Sequence, residues 1–233
     1  HMGYAKKYMS AHYLSINATK KLNISLFESV IWRMNHAPGT NGFDVNYLNP
    51  IVMLRPIEFS VNSPDNVLVG LNTKYKLPFS SYLYGQLLLD EFTLEQIKSN
   101  NGYWANKFAY QLGLKSSFKE LKVLLEYNQA QPYTYAHKEP MQSYTHFNQA
   151  LAHPLGANFK EFVSLVNYTK GNCKFSIKLT HAKVGLDSLD THYGQNIFAS
   201  DFDAQGAGDE YSYGNFNGQG VSTQINTLHT EMA

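Results

Sequence analysis

The chain has 233 residues, with 19 Lys and Arg against 18 Asp and Glu, so its formal net charge is +1. This balance lacks the basic excess of a nucleic-acid-binding domain, and we expect no nucleic-acid partner. Charged residues make up 16% of the chain, fewer than the roughly 25% typical of soluble domains. Few charges and an aromatic content of 14% suit strands that face lipid, or a soluble sheet that binds carbohydrate.

Short segments in which apolar and polar residues alternate recur along the chain. In Asn66–Lys76, for example, Val67, Val69 and Leu71 share one face and Lys74 lies on the other. A period of two residues is typical of a β-strand between an apolar and a polar medium. The same alternation predicts further strands at His12–Ala18, Leu22–Ile31, Tyr82–Glu91, Tyr103–Leu114, Leu121–Asn128, Phe162–Tyr168 and Lys174–Lys183.

Turn-forming residues separate these segments. We expect turns at Thr19–Lys21, near Leu77 and Pro78, around Ser116 and Ser117, and at Thr169–Asn172. Between the strands the sequence predicts a long loop at Arg33–Asn49, a short helix around Ile51–Glu58 and a helical turn at Thr93–Lys98.

The pattern predicts an all-β chain without a membrane helix, because no run approaches ~18–20 apolar residues. Strands of ~9–11 alternating residues can cross a bilayer if they close into a barrel. We therefore expect an antiparallel up-and-down, outer-membrane-type β-barrel or part of one, with long loops and at most short helices. Residues 1–184 would supply strands and loops, and residues 185–233, rich in Gly, Asn and Asp, a long loop and a further strand of the same barrel.

The alternation also assigns faces in such a barrel. The apolar sets would face lipid: Val67, Val69, Leu71, Leu83, Leu87, Leu89, Leu121, Val123 and Leu125. The polar positions would face the lumen: Lys74, Gln86, Asp90, Lys122 and Glu126.

The densest polar and aromatic stretch runs from Glu126 to Glu161. Its candidate ligand-binding residues are Tyr133, Tyr135, His137, Tyr144, His146, Asn148 and His153. Three interpretations stay open: a loop packed by its own aromatic rings, a sugar site with stacking tyrosines and hydrogen-bonding Asn and His, or a metal site. The spacings of 9 and 7 residues between the three histidines match no common metal motif, so we expect no metal or cofactor.

Evidence for catalysis is thin, and we expect a protein that is not an enzyme. Asp90 and Glu91 form the best acidic pair, but neighbouring strand residues point to opposite faces and cannot easily act together. A glycoside hydrolase would need a second carboxylate brought near in space, from Glu28, Glu58 or Glu126. Phosphate-binding glycine motifs, a nucleophile elbow and zinc spacings are missing from the sequence.

Several segments, in order, resemble a group of outer-membrane proteins from Bacteroidetes, described as gliding-motility RemB-like or as relatives of the capsule-assembly protein Wzi. The similar segments cover most of residues 8–198: Tyr8–Asn17, Leu22–Val30, Tyr47–Pro50, Ser63–Asn66, Leu83–Phe92 and Tyr144–Glu161. Members of that family are longer, so this chain is expected to be an interior-to-C-terminal portion.

The resemblance implies an outer-membrane β-barrel at the cell surface that holds or exports capsular polysaccharide or serves gliding motility, without catalytic residues. The implied partners are outer-membrane lipid, surface polysaccharide and other outer-membrane, secretion or motility subunits. Two alternatives remain at this stage: a soluble carbohydrate-binding β-sandwich, which the Tyr- and His-rich stretch favours, and the glycoside hydrolase.

Overall fold

The computed structural model describes residues 6–33, 65–91, 105–188, 192–204 and 218–232. Within these ranges the chain forms strands and two short 3-10 helices, Pro140–Gln142 and Asp201–Ala204. The strands are β1 (Lys7–Asn17), β2 (Leu22–Arg33), β3 (Asn66–Leu77), β4 (Ser81–Glu91), β5 (Lys107–Phe118), β6 (Leu121–Ala130), β7 (Thr145–His146), β8 (Gln149–Ala150), β9 (Phe159–Lys170), β10 (Cys173–Leu186) and β11 (Val221–Met232).

Nine strands form one antiparallel sheet in the order β1-β2-β3-β4-β5-β6-β9-β10-β11, and β7 and β8 form a separate hairpin. Each strand of the sheet pairs with its neighbours in chain order, apart from the hairpin inserted between β6 and β9. The predicted all-β, antiparallel up-and-down architecture is therefore confirmed. In the described residues β1 and β11 are the edges, and no pairing joins them into a closed barrel.

One predicted turn is wrong. Ser116 and Ser117 lie inside β5, where they pair with Val123 and Lys122 of β6. The chain turns instead at Lys119, which has a φ of 47°, and Glu120. The serines suggested a turn by composition, but the pairing between strands outweighs that weak local preference. The predicted helix at Ile51–Glu58, the helical turn at Thr93–Lys98 and the loop that follows Arg33 lie outside the described residues.

The connections between strands differ in length at the two ends of the sheet. Turns of two to four residues join β1 to β2, β3 to β4, β5 to β6 and β9 to β10. We call this end the tight-turn end. The other four connections, residues 34–65, 92–106, 131–158 and 187–220, all leave from the opposite end, which we call the long-connection end.

The register gives the sheet one apolar face. Residues directly opposite each other on paired strands share a face, and chains of apolar partners run from strand to strand, such as Leu26 to Leu71 to Leu87. The apolar face includes Leu14, Ile16, Ile24, Leu26, Val67, Val69, Leu71, Leu83, Leu87, Leu89, Leu112, Leu114, Leu121, Val123, Leu125, Val166, Ile177, Leu179 and Leu228. Every set that the sequence assigned to lipid belongs to it.

The opposite, polar face carries hydrogen-bonding side chains in the middle of the strands. Its central members are Ser15, Asn23, Ser25, Asn72, Tyr84, Gln86, Gln111, Glu126, Asn128 and Glu161. Many bond one another across strands, as Gln86 Nε2 does to Asn72 Oδ1 at 2.7 Å. Space for the larger of these side chains comes from glycine, because a Cβ on Gly113 would lie 2.1 Å from Cζ of Tyr84.

Towards the long-connection end, residues 131–158 cross the polar face, and we call this segment the crossing connection. It makes hydrogen bonds or ion pairs with seven strands. These contacts involve Lys7 of β1, Arg33 of β2, Asn66 of β3, Asp90 of β4, the Phe108 carbonyl of β5, Glu161 of β9 and the Gly185 carbonyl of β10. Small and apolar strand residues beneath it, including Leu68, Leu88, Ala109, Ala130 and Ala182, form the main buried core together with Tyr135 and Ile197.

A buried ion pair fixes residues 192–204 to the start of β5. Lys107 Nζ donates to Asp201 Oδ2, and the two side chains are 0% and 1% exposed. Two charges this deep are stable only as a pair, because an isolated buried charge loses its hydration without compensation. The pair therefore determines where this segment packs.

We predict that Lys107→Met lowers the free energy of unfolding by about 3–5 kcal/mol, because it leaves the Asp201 carboxylate buried without its cation. A denaturant titration of the protein measures this change. The control is Lys107→Met combined with Asp201→Leu, which removes both charges and should recover most of the loss. A single variant no less stable than the double variant would contradict this role for the ion pair.

Candidate functional site

A cavity of about 280 Å³ lies between the polar face and the crossing connection. One wall comes from strands β2, β4, β5 and β6, through Phe27, Gln86, Leu88, Gln111 and Asn128. The other comes from the crossing connection, through Tyr135, Tyr144, Leu151, Ala152 and His153, with Phe159 at the start of β9. The cavity thus joins aromatic surface to amide and imidazole groups.

The strand wall is held by a hydrogen-bond network centred on Asn128. Its Nδ2 donates to Glu126 Oε1 and to Glu161 Oε2, each at 3.0 Å. Gln111 Nε2 donates to Asn128 Oδ1 at 2.9 Å, and Tyr84 donates to Glu126 Oε2 at 2.6 Å. Alternate residues of neighbouring strands form this network, so the pleat itself positions these groups on one face.

Tyr135 on the opposite wall is held by an unusual backbone and a buried carboxylate. Its φ is 74°, a left-handed conformation that is uncommon for an aromatic residue. Its backbone N–H donates to Asp90 Oδ2 at 2.7 Å. The register of β4 against β5 shifts between Leu89 and Glu91, and such a bulge directs Asp90 towards the crossing connection.

Burial raises the pKa of Tyr135, and the nearby negative charge of Asp90 raises it further. Its phenol therefore stays protonated and can donate a hydrogen bond at any physiological pH. The ring of Tyr144 stacks on Tyr135 with centroids 6.1 Å apart, and burial raises the pKa of Tyr144 too. The paired rings give this wall a broad apolar surface with polar edges.

His153 is fixed in orientation and in tautomer. The backbone N–H of Leu155 donates to His153 Nδ1 at 3.2 Å, so in the neutral ring the proton lies on Nε2. Nε2 then donates to Glu161 Oε2 at 3.0 Å. The ring stacks on Phe159 with centroids 4.3 Å apart, and this links the crossing connection to β9.

The structure brings three of the seven candidate residues into this cavity: Tyr135, Tyr144 and His153. Tyr133 does not line the cavity; its side chain is fully buried and donates to the His192 carbonyl at 3.1 Å. His137 accepts a bond from the backbone N–H of Glu139. His146 is exposed on β7, so the three histidines have separate surroundings, and the described residues contain no cluster of three or more His, Cys, Asp or Glu that could hold a metal.

Asn148 lines a second cavity, of about 500 Å³, with Gln149 and Ala150 on one side and Gln195–Phe198 on the other. The loop on that far side is organised by Asp187, whose Oδ1 accepts the N–H of Tyr193 at 2.6 Å and whose Oδ2 accepts that of Asn196 at 3.1 Å. Burial alone raises the pKa of Asp187, but these bonds and one from His192 outweigh it, so the pKa is lowered.

Asn158 joins the crossing connection to the last strands. Its side chain is fully buried. Nδ2 lies within 3.1 Å of the carbonyls of Gly185, Tyr193 and Gln219, and Oδ1 accepts the N–H of Gly218 at 2.7 Å. With a φ of 53°, this position suits Asn, which tolerates the left-handed region better than most residues.

The acids proposed for a hydrolase have other surroundings. Asp90 is buried and binds the backbone of Tyr135, and the side chain of Glu91 lies outside the described residues. Glu126 and Glu161 are the carboxylates that the structure brings together, through Asn128. Glu126 accepts hydrogen bonds from Tyr84 and Asn128, and Glu161 accepts them from Asn128 and His153, an arrangement that orders the wall of the cavity.

The polar residues Gln111, Asn128 and Glu161 belong to this site and its hydrogen-bond network, although the sequence did not identify them as candidates. Gln86 and Glu126 were assigned to the polar face, but not to a cavity. A usable signal was present, because Gln111 and Asn128 are polar positions in the middle of alternating strands, where a polar side chain needs a partner or a ligand. The sequence did not indicate which of these positions the crossing connection covers.

We predict that Asn158→Ala releases the segments that this side chain joins, because alanine can neither donate to the carbonyls nor accept the Gly218 N–H. Loss of these buried bonds should cost about 1–3 kcal/mol, and hydrogen exchange at the Gly218 amide should become faster. The control is Asn148→Ala, at an exposed position with a φ of 56°, which should change neither. Unchanged exchange at Gly218 in the Asn158 variant would contradict this role.

No helix among the described residues is long and apolar enough to span a membrane. Comparison with protein-family models gave no match to this chain, and no curated protein matches it either.

Proposed function

We propose that this chain forms part of a non-enzymatic outer-membrane β-barrel that associates with surface polysaccharide, in capsule assembly or attachment or in gliding motility. The observation that carries the proposal is the exposed apolar face. Its cell location would be the outer membrane, and its partners lipid, surface polysaccharide and other outer-membrane, secretion or motility subunits.

The apolar face leaves large aliphatic side chains exposed on several strands. Ile16, Leu83 and Leu112, on three different strands, are 56%, 50% and 58% exposed. Monomeric soluble proteins seldom expose contiguous apolar patches beyond a few hundred Å². Burying a single large aliphatic side chain contributes about 1.5–3 kcal/mol, so a face of this kind strongly favours contact with an apolar phase.

The lengths of the connections support the same proposal. Outer-membrane barrels have short turns at the periplasmic end and longer loops at the cell surface, and this sheet has tight turns at one end and long connections at the other. In lipid, every backbone N–H and C=O needs a partner. The free edges of β1 and β11 would therefore pair in the membrane, with each other or with further strands.

The cavity under the crossing connection supports a role in binding polysaccharide. Stacked tyrosines offer flat apolar surface for sugar rings, and Gln86, Gln111 and His153 offer polar groups for hydroxyls. The cavity lies at the long-connection end, which would face outward in an outer-membrane barrel. A surface polymer would meet this end of the protein first.

The alternatives explain fewer of these features. A soluble β-sandwich needs a second sheet over its apolar face, and the described residues contain one large sheet and a two-residue-strand hairpin. The glycoside hydrolase needs Asp90 or Glu91 as an acid or base, and Asp90 instead anchors the crossing connection.

The membrane assignment predicts opposite outcomes for two lysine substitutions at mid-strand. Leu112→Lys places a charge on the apolar face and should destabilise the protein in lipid vesicles by about 2–4 kcal/mol. Gln86→Lys places the same charge on the polar face and should cost little. A denaturant titration in vesicles measures the stability of both variants. The heat-dependent gel shift of a folded barrel reports the folded fraction at each denaturant concentration.

In a soluble protein Leu112, already more than half exposed, would tolerate lysine within about 0.5 kcal/mol. Equal stability of the two variants, or a chain that does not insert into vesicles at all, would refute the membrane assignment.

The polysaccharide assignment predicts that Gln86→Ala combined with Gln111→Ala weakens binding of polysaccharide purified from the source cells. Two lost hydrogen bonds at about 0.5–1.5 kcal/mol each give roughly a tenfold weaker affinity. Binding is measured by surface plasmon resonance on the detergent-solubilised protein. The control is Asn148→Ala, in the second cavity; an equal loss in the control, or none in the double variant, would place the polymer elsewhere.

A further inference from the structure

The lysines of the sheet gather at the tight-turn end. Ten lysines lie in or beside its four turns: Lys20, Lys21, Lys74, Lys76, Lys115, Lys119, Lys122, Lys170, Lys174 and Lys178. Only two acids of the described residues, Glu120 and Glu231, lie among them. The chain as a whole has a charge of only +1, so this end is basic because of how the strands are arranged and not because of composition.

Four of these lysines surround one concave site. A cavity of about 320 Å³ is lined by Asn17, Thr19, Lys20, Lys21, Leu22, Asn23, Lys74, Lys76 and Tyr82. It includes no carboxylate, and within the described residues none of its four lysines forms an ion pair. All four are exposed, in contrast to the buried and paired Lys107.

The backbone holds the site together although the lysine side chains are long. The N–H of Lys76 donates to the Lys21 carbonyl at 2.7 Å, which joins the β1–β2 turn to β3. The Thr19 hydroxyl oxygen accepts the N–H groups of Lys21 and Leu22 at 3.1 and 2.9 Å, so its hydrogen can donate to a ligand. Lys74 Nζ lies 4.5 Å from the ring centroid of Tyr82, which keeps this charge over the polar face.

We propose that this cavity binds a soluble ligand that carries several phosphate groups. Four positive charges without a carboxylate repel one another, and a multivalent anion relieves that repulsion. The site contains lysines and no arginine, and Lys binds phosphate as a compact point charge. Lys74, Lys76 and Tyr82 project from the polar face, away from the apolar face, so the ligand approaches from the polar side of the sheet.

The proposal depends on the lysine cluster and not on the membrane assignment, so each can fail alone. Calorimetric titration of the full chain in detergent with inorganic tripolyphosphate tests it. Wild-type protein should bind, and binding should weaken between about 50 mM and about 200 mM NaCl, because salt screens exposed charges. Lys74→Gln combined with Lys76→Gln should weaken the affinity at least about tenfold.

The matched control is Lys160→Gln combined with Lys183→Gln, which removes two exposed lysines that pair across β9 and β10 near the long-connection end. This double variant should bind tripolyphosphate with the affinity of the wild-type protein. Lys20→Gln combined with Lys21→Gln, in the turn, provides a second test if the strand variant folds poorly.

Three outcomes would overturn the proposal. In the first, tripolyphosphate does not bind the wild-type chain. In the second, the control loses as much affinity as the site variants. In the third, the wild-type chain binds vesicles of anionic phospholipid but not tripolyphosphate. The last outcome would assign the lysines to lipid headgroups at the membrane surface.

Discussion

The alternation of side chains across the β-pleat is the constraint on which the rest of this structure depends. Because opposite residues of paired strands share a face, one register gathers leucine, isoleucine and valine on one side of nine strands and Asn, Gln, Glu and Tyr on the other. A shift of one residue in any strand would place its apolar set among the polar groups. The two faces can therefore meet different media, and the proposed membrane role requires that they do.

The crossing connection adds the second level of organisation. By contacting seven strands it covers the polar face at one end, where the strands carry small residues such as Ala109 and Ala130 and leave room for it. At the other end the turns are too short to cover the face, and lysines line it instead. The same sheet thus offers an aromatic cavity at one end and a basic cavity at the other, two sites of different chemistry.

Strain and burial are concentrated where the crossing connection is anchored. Tyr133 and Tyr135 have φ values of 65° and 74°, conformations that cost of order 1–3 kcal/mol each. The contacts of Tyr135 with Asp90 and of Tyr133 with the Gly194 carbonyl hold the backbone in place. Gly194 itself is needed there, since a Cβ would lie 2.4 Å from the Tyr133 nitrogen. The cavity wall is therefore built by contacts distant in sequence.

The sequence by itself determined the main strands and the face of each of their residues, because a period of two residues is a local property of the chain. The short turns between strands indicated antiparallel neighbours. It also identified the stretch that supplies Tyr135, Tyr144 and His153, from its composition. Only the tertiary structure decided that Tyr133 is buried outside the cavity lining, that His146 is exposed, that Gln111, Asn128 and Glu161 complete the site, and that lysines from separate hairpins share one cavity. Those facts depend on contacts between distant segments, and no local pattern encodes such contacts.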